Sequence, residues 1–472
     1  MKSGFGRSTL TALAVILVLT ACQPVSPTPP TGTRQPDPVS TATRTPRRVT
    51  PTPSATARPS LGIGPAALNG TQVTVWHAFF GASAEVFEAQ AVQFSASNEW
   101  GIQIVTRSTR GSYPLLFEEV SAAVEEGDPP SLVIGLPEYL SAWDAVDLTP
   151  YLHDADWGLG AEELADIPEI FMAQEQVDGR QMGMPALRSA RLLLYNLTWA
   201  RELGFTAPPV TSEEFRVQAC AGNAAFRRDE DQQNDGYGGW LVDTDPSTAL
   251  GWLFAFDGAA DDGATDDSSG YQFNTAANRA ALTFVKELYD DNCAWLSTNP
   301  EPFAPFAGRR ALFATASLSE FEAVKRAFDA AGNDDDWSVL AFPGPDSRSL
   351  PLSGASFMVM PSTDEAQLAA WLFVRWLLSP DSQSRWARNT GLLPLRTSTL
   401  GDLEAYKIEN PQWAAATELI ETGHVQPVRL SWREVRLMVG DSFDHLFRFD
   451  LPLDDIPDLL AEMDETAEEL DQ

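Results

Sequence analysis

An acidic stretch, DEDQQNDG, is the first place where the spacing of side chains suggests chemistry. The early positions of an EF-hand-like calcium loop are filled by Asp231, Gln233, Asp235 and Gly236. The twelfth position of such a loop needs a bidentate glutamate, and here it is Val242. Convincing flanking helices are also missing. We therefore interpret the stretch as an acidic turn, with calcium binding kept as the alternative.

The sequence contains none of the common catalytic or metal-binding motifs that were sought. The four histidines form no close metal-type pair, and there is no HExxH motif, GxSxG elbow or P-loop. Carboxylates are abundant, so the sequence does not forbid a glycoside hydrolase, which needs two of them across a sugar bond. We expect no cofactor and no bound metal.

Tryptophan is the residue type that points most directly to a ligand. The chain has 14 of them, and Trp240 and Trp252 lie twelve positions apart around a glycine-preceded loop. Flat aromatic rings pack against the C–H faces of sugars, whereas bidentate polar groups bind the hydroxyl rims. Packing in the hydrophobic core is the alternative role for each tryptophan.

Polar residues at the ends of predicted strands and helices form a second group of candidates, because ligands of open α/β sheets bind beyond the carboxyl ends of the strands. They are His77, Ser112, Glu138, Arg188, Ser317, Gly354 and Ser356. Structural alternatives stand beside them: a loop or capping role for His77, a helix cap for Ser112, a solvated carboxylate for Glu138 and an ion pair for Arg188. Gly354 would let the backbone approach a ligand closely.

These residues need a framework, and the sequence predicts alternating strands and helices. A strand QVTVWHAF precedes a helix over 82–95, the strand GIQIVTRS precedes a helix over 113–126, and the buried strand SLVIGL follows. This order predicts a mainly parallel α/β sheet covered by helices. Further helices are predicted over 275–289, 319–331, 363–378, 379–389 and 454–470, the fourth with Ser379 as its N-cap.

Length and charge bound the function. Roughly 400 residues follow Gln72, which favours two lobes rather than one core. The net charge of −34 repels nucleic acid, so we exclude nucleic-acid binding.

The N-terminal region reads as an export signal. Lys2 and Arg7 precede a short apolar stretch, and the sequence Leu-Thr-Ala-Cys ending at Cys22 resembles a bacterial lipobox. We predict a signal peptide over 1–21, a lipid on Cys22 and a disordered Pro/Ser/Thr tether over 22–70. A secreted protein with a chance cysteine and a retained signal anchor are the alternatives.

The cysteine count agrees with this interpretation. The chain has three, and an odd number in an exported protein implies a special role for one. If Cys22 carries lipid, Cys220 and Cys293 can form a disulfide in an oxidising compartment. Two buried thiols are the alternative.

Eight segments, in order between residues 72 and 440, resemble one protein family. They are VTVWHAFFG, RGSYPLLFEEVSAAVEEGDPPSLVIG, LTPYL, DGRQMGMPALRSARLLLYN, FAPFAGRRALFATAS, LSGASFMVMPST, AAWLFVRWLLSPDSQSRWARNTGLLPLRTS and LSWREVR. The family is the extracellular solute-binding proteins, family 1, of ABC sugar importers. Ser131, Met182 and Ser212 depart from its usual Asp, Tyr and Trp, which bears on specificity more than on fold.

The resemblance implies a two-lobed periplasmic-binding-protein-like α/β fold, with hinge strands and a ligand cleft. Lobe 1 would comprise 71–187 and 352–396, and lobe 2 would comprise 188–351 and 397–472. Tyr113 and Trp432 resemble ligand-contacting positions of the family.

The function that the resemblance implies is non-catalytic. We expect a monomer, lipid-anchored on the extracytoplasmic face of a bacterial membrane, that delivers a carbohydrate to ABC permease subunits. A surface-anchored glycoside hydrolase is the alternative function, and another polar solute, such as a glycerol phosphodiester or a peptide, is the alternative ligand.

Overall fold

The computed structural model describes residues 60–261, 270–448 and 451–472. The predicted signal peptide, Cys22 and the tether as far as residue 59 lie outside the described residues. All described residues belong to one compact unit. Within the described ranges, no helix has the length and apolar character needed to cross a bilayer.

Strands and helices alternate along the body. The strands are β1 (Gln72–His77), β2 (Gln103–Ser108), β3 (Leu132–Gly135), β4 (Gln176–Val177), β5 (Arg180–Gln181), β6 (Met184–Asn196), β7 (Trp240–Val242), β8 (Ala294–Leu296), β9 (Phe313–Ser317), β10 (Trp337–Leu340), β11 (Phe342–Pro343), β12 (Arg348–Val359) and β13 (Gly423–His424). The helices are α1 (Ala82–Ser97), α2 (Tyr113–Glu126), α3 (Thr149–Leu152), α4 (Ala161–Ala165), α5 (Glu169–Ala173), α6 (Leu197–Glu202), α7 (Ser212–Phe226), α8 (Pro246–Ala255), α9 (Ala276–Asp290), α10 (Ala304–Ala307), α11 (Phe321–Ala331), α12 (Asp364–Leu377), α13 (Pro380–Thr390), α14 (Thr399–Asp402), α15 (Glu404–Glu409), α16 (Pro411–Thr417), α17 (Trp432–His445) and α18 (Ile456–Leu470).

Local sequence explains where several helices begin and end. Ser112 caps α2, where its hydroxyl accepts a hydrogen bond from the Leu115 N–H, and the helix ends at Gly127 in a left-handed conformation. Ser379 caps α13, whose first residue is a proline, as predicted. The predicted helix over 319–331 begins later, at Phe321, because residues 318–320 form a 3₁₀ turn.

The strands lie in the order β2-β1-β3-β12-β6-β9-β7-β8. The pairs β1–β2 and β1–β3 are parallel, as predicted, and so are β7–β8 and β7–β9. The long strands β6 and β12 run antiparallel to each other and to their outer neighbours. The sheet is therefore mixed, and its two parallel parts are joined through this antiparallel pair.

The strands β6 and β12 are the hinge strands of the fold. Residues 184–190 of β6 pair with β12, whereas residues 191–195 pair with β9. We call the part built on β1, β2 and β3 lobe 1 and the part built on β7, β8 and β9 lobe 2. The α/β fold with two lobes agrees with the expectation, while the residue boundaries of the lobes stay a prediction.

The buried apolar side chains form three clusters, and the largest extends from lobe 1 through the hinge strands to β9 and α11 of lobe 2. In lobe 2 a cluster of aromatic rings surrounds Trp240 and Trp252. In lobe 1 one face of the sheet packs against Phe87, Phe94 and Trp371 of α1 and α12. The opposite face covers a smaller cluster that includes Tyr139 and Trp143.

The acidic stretch forms a hydrogen-bonded turn. The Asp229 carboxylate accepts the Asp231 N–H at 2.8 Å, and the Asp231 carboxylate accepts the Gln233 N–H at 3.0 Å. The side-chain amide of Asn223 donates to the Asp235 carbonyl at 2.8 Å. Among the described residues, no group of three or more histidine, cysteine, aspartate or glutamate side chains is arranged to hold a metal ion. The turn therefore uses its carboxylates to satisfy its own backbone.

Cys220 and Cys293 form the predicted disulfide, with their Cα atoms 4.4 Å apart. The bond joins α7 to the segment between α9 and β8, so both ends lie in lobe 2. A cross-link over 73 residues of sequence restricts the unfolded chain strongly.

Removal of this disulfide is expected to destabilise the protein without altering its fold. The double variant Cys220→Ser/Cys293→Ser should lose about 2–4 kcal/mol of unfolding free energy. Denaturant unfolding with and without dithiothreitol measures the effect. The wild-type curve should shift to the position of the variant on reduction, while the variant itself should not respond to the reductant. Equal midpoints for the oxidised and reduced wild type would contradict the stabilising role.

Gly354 lies on β12 at a close approach to the backbone of β6. A Cβ atom at this position would stand 2.1 Å from the Leu187 carbonyl oxygen and 2.9 Å from the Arg188 guanidinium. The sequence predicted that the backbone at this glycine would approach a ligand. In the structure it approaches the backbone of the neighbouring strand β6.

The variant Gly354→Ala is expected to lose about 1–3 kcal/mol of unfolding free energy, because β6 and β12 must separate to admit the methyl group. Gly401→Ala is the matched control, since no atom lies within 4 Å of its added Cβ. Thermal unfolding of both variants measures the difference. If the two variants melt together, the hinge strands tolerate the separation.

Candidate ligand-binding cleft

A cavity of about 280 Å³ lies where both lobes meet the hinge strands. Lobe 1 contributes the residues just after β3, the hinge contributes part of β12, and lobe 2 contributes the start of α8 and one face of α17. The residues lining it are Leu136, Pro137, Glu138, Gln174, Asp245, Pro246, Ser247, Ser353, Gly354, Gln426, Arg436 and Leu437. We call this the cleft cavity. Its place beyond the carboxyl end of β3 follows the rule for ligand sites in open α/β sheets.

Glu138 is the buried acid of the cleft cavity, with 4% of its surface exposed. Burial raises its pKa, while its own backbone N–H and the guanidinium groups of Arg436 and Arg433 act in the opposite direction. Both arginines belong to α17 of lobe 2. The cavity therefore brings a carboxyl group of one lobe opposite cationic groups of the other, and both kinds of group can form paired hydrogen bonds with hydroxyls.

The start of α8 closes the cavity on the lobe 2 side. The Asp245 carboxylate accepts a hydrogen bond from the Ser247 N–H at 2.8 Å and so caps the helix. Two residues earlier, Asp243 forms an ion pair with Arg191 and accepts the hydroxyl hydrogen bonds of Thr248 and Thr315, at 3.1 and 2.9 Å. These bonds fix the segment that leads into α8 against β6 and β9.

Ser317 belongs to the adjoining part of this polar network. Its N–H and its hydroxyl both donate to the Glu320 carboxylate, at 2.7 and 2.8 Å. The Arg191 guanidinium lies 3.0 Å from the same carboxylate. The residue lies at the end of β9 as predicted, but it does not line the cleft cavity.

An aromatic cluster of lobe 1 stands beside Glu138. Phe117 and Trp143 stack with their ring centroids 5.3 Å apart, and Phe117 lies 4.9 Å from Tyr139. Burial raises the pKa of Tyr139 to about 12. The Arg433 guanidinium of lobe 2 lies 4.3 Å from the centre of the Phe117 ring. This cation–π contact crosses from one lobe to the other.

Tyr113 joins the same cluster. It is half-buried, and burial raises its pKa, with smaller contributions from Tyr139 and Glu138. Its partner Phe117 is four residues further along α2, so both rings lie on one face of the helix. That spacing is the sequence signal by which Phe117 would have been found.

The tryptophans predicted to stack on a ligand lie in the core of lobe 2. Trp240 and Trp252 are fully buried, and their rings meet edge to face at 5.3 Å within a cluster that includes Phe215. Both tryptophans therefore have the alternative role, packing in the hydrophobic core. The glycines before Trp240 serve a close backbone contact: a Cβ on Gly239 would stand 1.9 Å from the Cys293 carbonyl oxygen.

Trp432 is also buried, and it is linked to the cleft cavity through Gln426. Its indole N–H donates to the Gln426 side-chain oxygen at 3.0 Å. Gln426 in turn lines the cavity and donates to the Leu352 carbonyl of the hinge at 3.2 Å. Trp432 thus orients a polar side chain of the cavity rather than presenting its own ring.

His77 is buried at the end of β1, outside the cleft cavity. Its Nδ1 accepts the Phe79 N–H at 3.1 Å, and its Nε2 lies 3.3 Å from the Glu88 carboxylate. Burial lowers the pKa of His77. These contacts fit the loop role that was the alternative for His77. Ser112 likewise has its alternative role, as the cap of α2.

Arg188 forms an ion pair under the floor of the cleft. Its guanidinium contacts the Glu175 carboxylate and donates to the carbonyls of Ala355 and Phe171, at 3.0 and 3.1 Å. Arg188 and Glu175 are fully buried. Burial raises the pKa of Glu175, whereas Arg188 and the buried Ser356 hydroxyl lower it. This pair locks α5 of lobe 1 to both hinge strands.

The structure thus brings Glu138 and Gly354 into the cleft cavity and Tyr113 next to it. The other lining polar residues, Gln174, Asp245, Ser247, Ser353, Gln426 and Arg436, were missed by sequence reasoning. They come from segments as far apart as α5 and α17, and no local motif marks them.

Comparisons with known proteins identify the family to which the chain belongs. Residues 89–419 match the family described as "Bacterial extracellular solute-binding protein". Binding proteins of Brucella abortus (strain 2308) and Brucella suis biovar 1 (strain 1330) are each 22% identical over 291 residues, which is 59% of this chain. The match spans 66% of the length of these curated relatives.

Solved structures show the same fold at low sequence identity. The cyclic alpha-maltosyl-1,6-maltose binding protein from Arthrobacter globiformis has a TM-score of 0.70 at 20% identity, covering 85% of this chain and 100% of that one. The sugar-binding protein MalE from Xanthomonas citri has a TM-score of 0.72 at 20% identity, covering 85% and 97%. UgpB from Mycobacterium tuberculosis, in complex with glycerophosphocholine, has a TM-score of 0.65 at 17% identity, covering 84% and 98%. The family match extends over most of the body, and the chain belongs to the bacterial extracellular solute-binding proteins.

Proposed function

We propose that the protein captures a mono- or oligosaccharide in the cleft cavity and delivers it to the permease of an ABC importer. The observation that carries this proposal is the convergence of Glu138 and Gln174 of lobe 1 with Ser247, Gln426 and Arg436 of lobe 2 on one cavity at the hinge. Carboxylate, amide, hydroxyl and guanidinium groups together supply the donors and acceptors that sugar hydroxyls require. Two of the similar structures are of sugar-binding proteins, the cyclic alpha-maltosyl-1,6-maltose binding protein and MalE.

Closure of the hinge is the mechanism that this arrangement supports. A ligand whose hydroxyls bond to Glu138 and Arg436 at once is held by both lobes. Such a ligand has greater affinity for the closed state than for the open state and so shifts the population toward it. The permease then recognises the closed form, because closure changes the relative position of the two lobe surfaces.

A charged polar solute is the second candidate ligand. Arg436 lines the cavity together with Glu138, and Arg433 lies near enough to lower the pKa of Glu138, so a phosphodiester would find one guanidinium in the cavity and a second beside it. The buried carboxyl group opposes an anionic ligand, however, and this repulsion favours the neutral sugar. Glycerophosphocholine belongs in the ligand panel for this reason.

The remaining parts of the proposal concern location and catalysis. Family membership implies an extracytoplasmic protein, and we add a lipid on Cys22 and a monomeric state to the proposal. We also propose binding without turnover. A surface glycoside hydrolase would need a second catalytic carboxyl group opposite Glu138, and the Asp245 carboxylate in the cavity already caps α8.

Calorimetry against a panel of mono- and oligosaccharides tests the binding function. At least one sugar should bind 1:1, and Arg436→Ala should weaken it about 10- to 100-fold, as expected for the loss of about 1.5–3 kcal/mol from charged hydrogen bonds. Arg448→Ala, an exposed arginine just beyond α17, is the matched control and should bind like the wild type.

Three results would count against the proposal. They are the absence of heat with every sugar, the release of reducing ends from an oligosaccharide, and equal weakening by the two arginine variants. Heat with glycerophosphocholine alone would favour the second ligand.

The pH dependence of stability tests the burial of Glu138. Its folded pKa lies above the ordinary value of 4.5, so below pH 4.5 the folded and unfolded states both hold the proton. As the pH rises from 4.5 through the folded pKa, the unfolded state ionises first and the wild type loses stability. Glu138→Gln lacks this penalty. Its melting temperature should match the wild type near pH 4 and exceed it increasingly above pH 4.5.

Thermal unfolding of the unliganded protein from pH 4 to 8 measures this difference. Glu118→Gln, an exposed position on α2, is the control and should follow the wild type throughout. If Glu138→Gln follows the wild type as well, the carboxyl group is not buried as described. The same variant should bind sugar more weakly, because an amide replaces an acceptor-only carboxylate.

A further inference from the structure

We propose that lobe 1 carries a second saccharide-binding site, separate from the cleft cavity. It is a groove of about 710 Å³ walled by Trp100, Trp157 and Trp376, and we call it the tryptophan groove. Its residues come from the end of α1, the segment around α4, α12 and the start of α13. All of these belong to lobe 1, so a ligand there needs no hinge closure, and the inference does not rest on the proposed function of the cleft.

The indole rings are fixed in place before any ligand arrives. Trp157 is 8% exposed, and its N–H donates to the Ile63 carbonyl at 3.1 Å. Trp100 meets Trp157 edge to face at 5.9 Å, and Trp376 meets Phe94 at 5.7 Å. Trp100 and Trp376 are half-buried, so part of each side chain is accessible, and the Arg385 guanidinium lies 5.7 Å from the centre of the Trp376 ring. Rigid, partly exposed aromatic planes bind sugar rings at little cost in conformational entropy.

Arg375 supplies hydrogen-bond donors inside the groove. One of its Nη atoms donates to the Trp157 carbonyl at 3.2 Å, which sets the direction of the side chain. Among the described residues, its guanidinium forms no ion pair with a carboxylate, although the chain has 66 acidic side chains against 32 basic ones. A guanidinium has five donors, so most of them stay available to a ligand.

Glu99 and Asp156 supply acceptors at the rim of the groove. Both side chains are exposed, and within the described ranges neither carboxylate pairs with an arginine or lysine. The groove thus offers donors from Arg375, acceptors from two carboxylates and flat apolar faces between them.

This mixture selects among ligand classes. A hydroxyl group both donates and accepts, so a sugar can satisfy the arginine and the carboxylates together. A proline-rich peptide also stacks on tryptophan, but proline has no N–H and would leave the carboxylates unmatched. Acidic glycans would be repelled by the carboxylates of the rim. The geometry therefore points to a neutral saccharide chain.

The experiment is native affinity electrophoresis in gels that contain dextran, laminarin, xylan or galactomannan. Arg436→Ala is the parent protein, because its cleft site is impaired under the proposed function. We expect at least one polysaccharide to retard the parent, and Trp100→Ala to raise the dissociation constant at least tenfold. Trp100 also packs against the core, so Glu99→Ala, at an exposed position, is the second variant and should weaken binding about threefold or more.

The matched control is Ile408→Ala, whose side chain is 80% exposed on α15 and remote from the groove, and it should leave retardation unchanged. Calorimetry distinguishes the two sites. The variant Trp100→Ala, made in the wild-type protein, should bind sugar in the cleft cavity with the same affinity as the wild type. The proposal is overturned if no neutral polysaccharide retards the parent, or if both groove variants migrate like it. It is also overturned if a Pro-Thr repeat peptide of twelve residues binds the groove and the polysaccharides do not.

Discussion

The close pairing of β6 with β12 is the constraint on which the rest of the molecule depends. The two strands can approach only because Gly354 has no side chain to collide with the Leu187 carbonyl. Beneath them, the buried pair of Arg188 and Glu175 ties both strands to α5. Breaking such a pair by removal of one partner leaves a buried charge without compensation. The paired strands therefore form one closely packed unit, and each lobe is built outward from it.

The pairing of β6 with β12 determines which residues meet in the cleft. Residues after β3 come to one side of the hinge, and α17 comes to the other, so that Glu138 faces Arg436 although almost 300 residues of chain separate them. Neither group alone defines a sugar site. Together they form the proposed site, whose two halves belong to different lobes, which is the condition for a ligand to favour closure.

Sequence reasoning predicted what local physics determines. The cap at Ser379, the parallel order of the first strands and the pairing of Cys220 with Cys293 all depend on near neighbours or on simple counting, whereas Ser112, a candidate ligand residue, has the helix-cap role that was its alternative. Glu138 was found because strand ends are a general place for ligands. The tryptophans were less predictable, since a large flat ring serves a core as well as it serves a sugar, and only the packing of Phe215 around Trp252 distinguishes the two. The lining residues from α5 and α17 depend on long-range packing that no short pattern encodes.

The position of the disulfide determines which part of the protein is stabilised in an oxidising compartment. Both of its ends lie within lobe 2, and neither crosses to the hinge strands. Oxidation is therefore expected to stabilise lobe 2 without restricting the proposed closure of the hinge. A change in redox conditions is therefore expected to alter the stability of lobe 2 rather than the proposed affinity for a ligand.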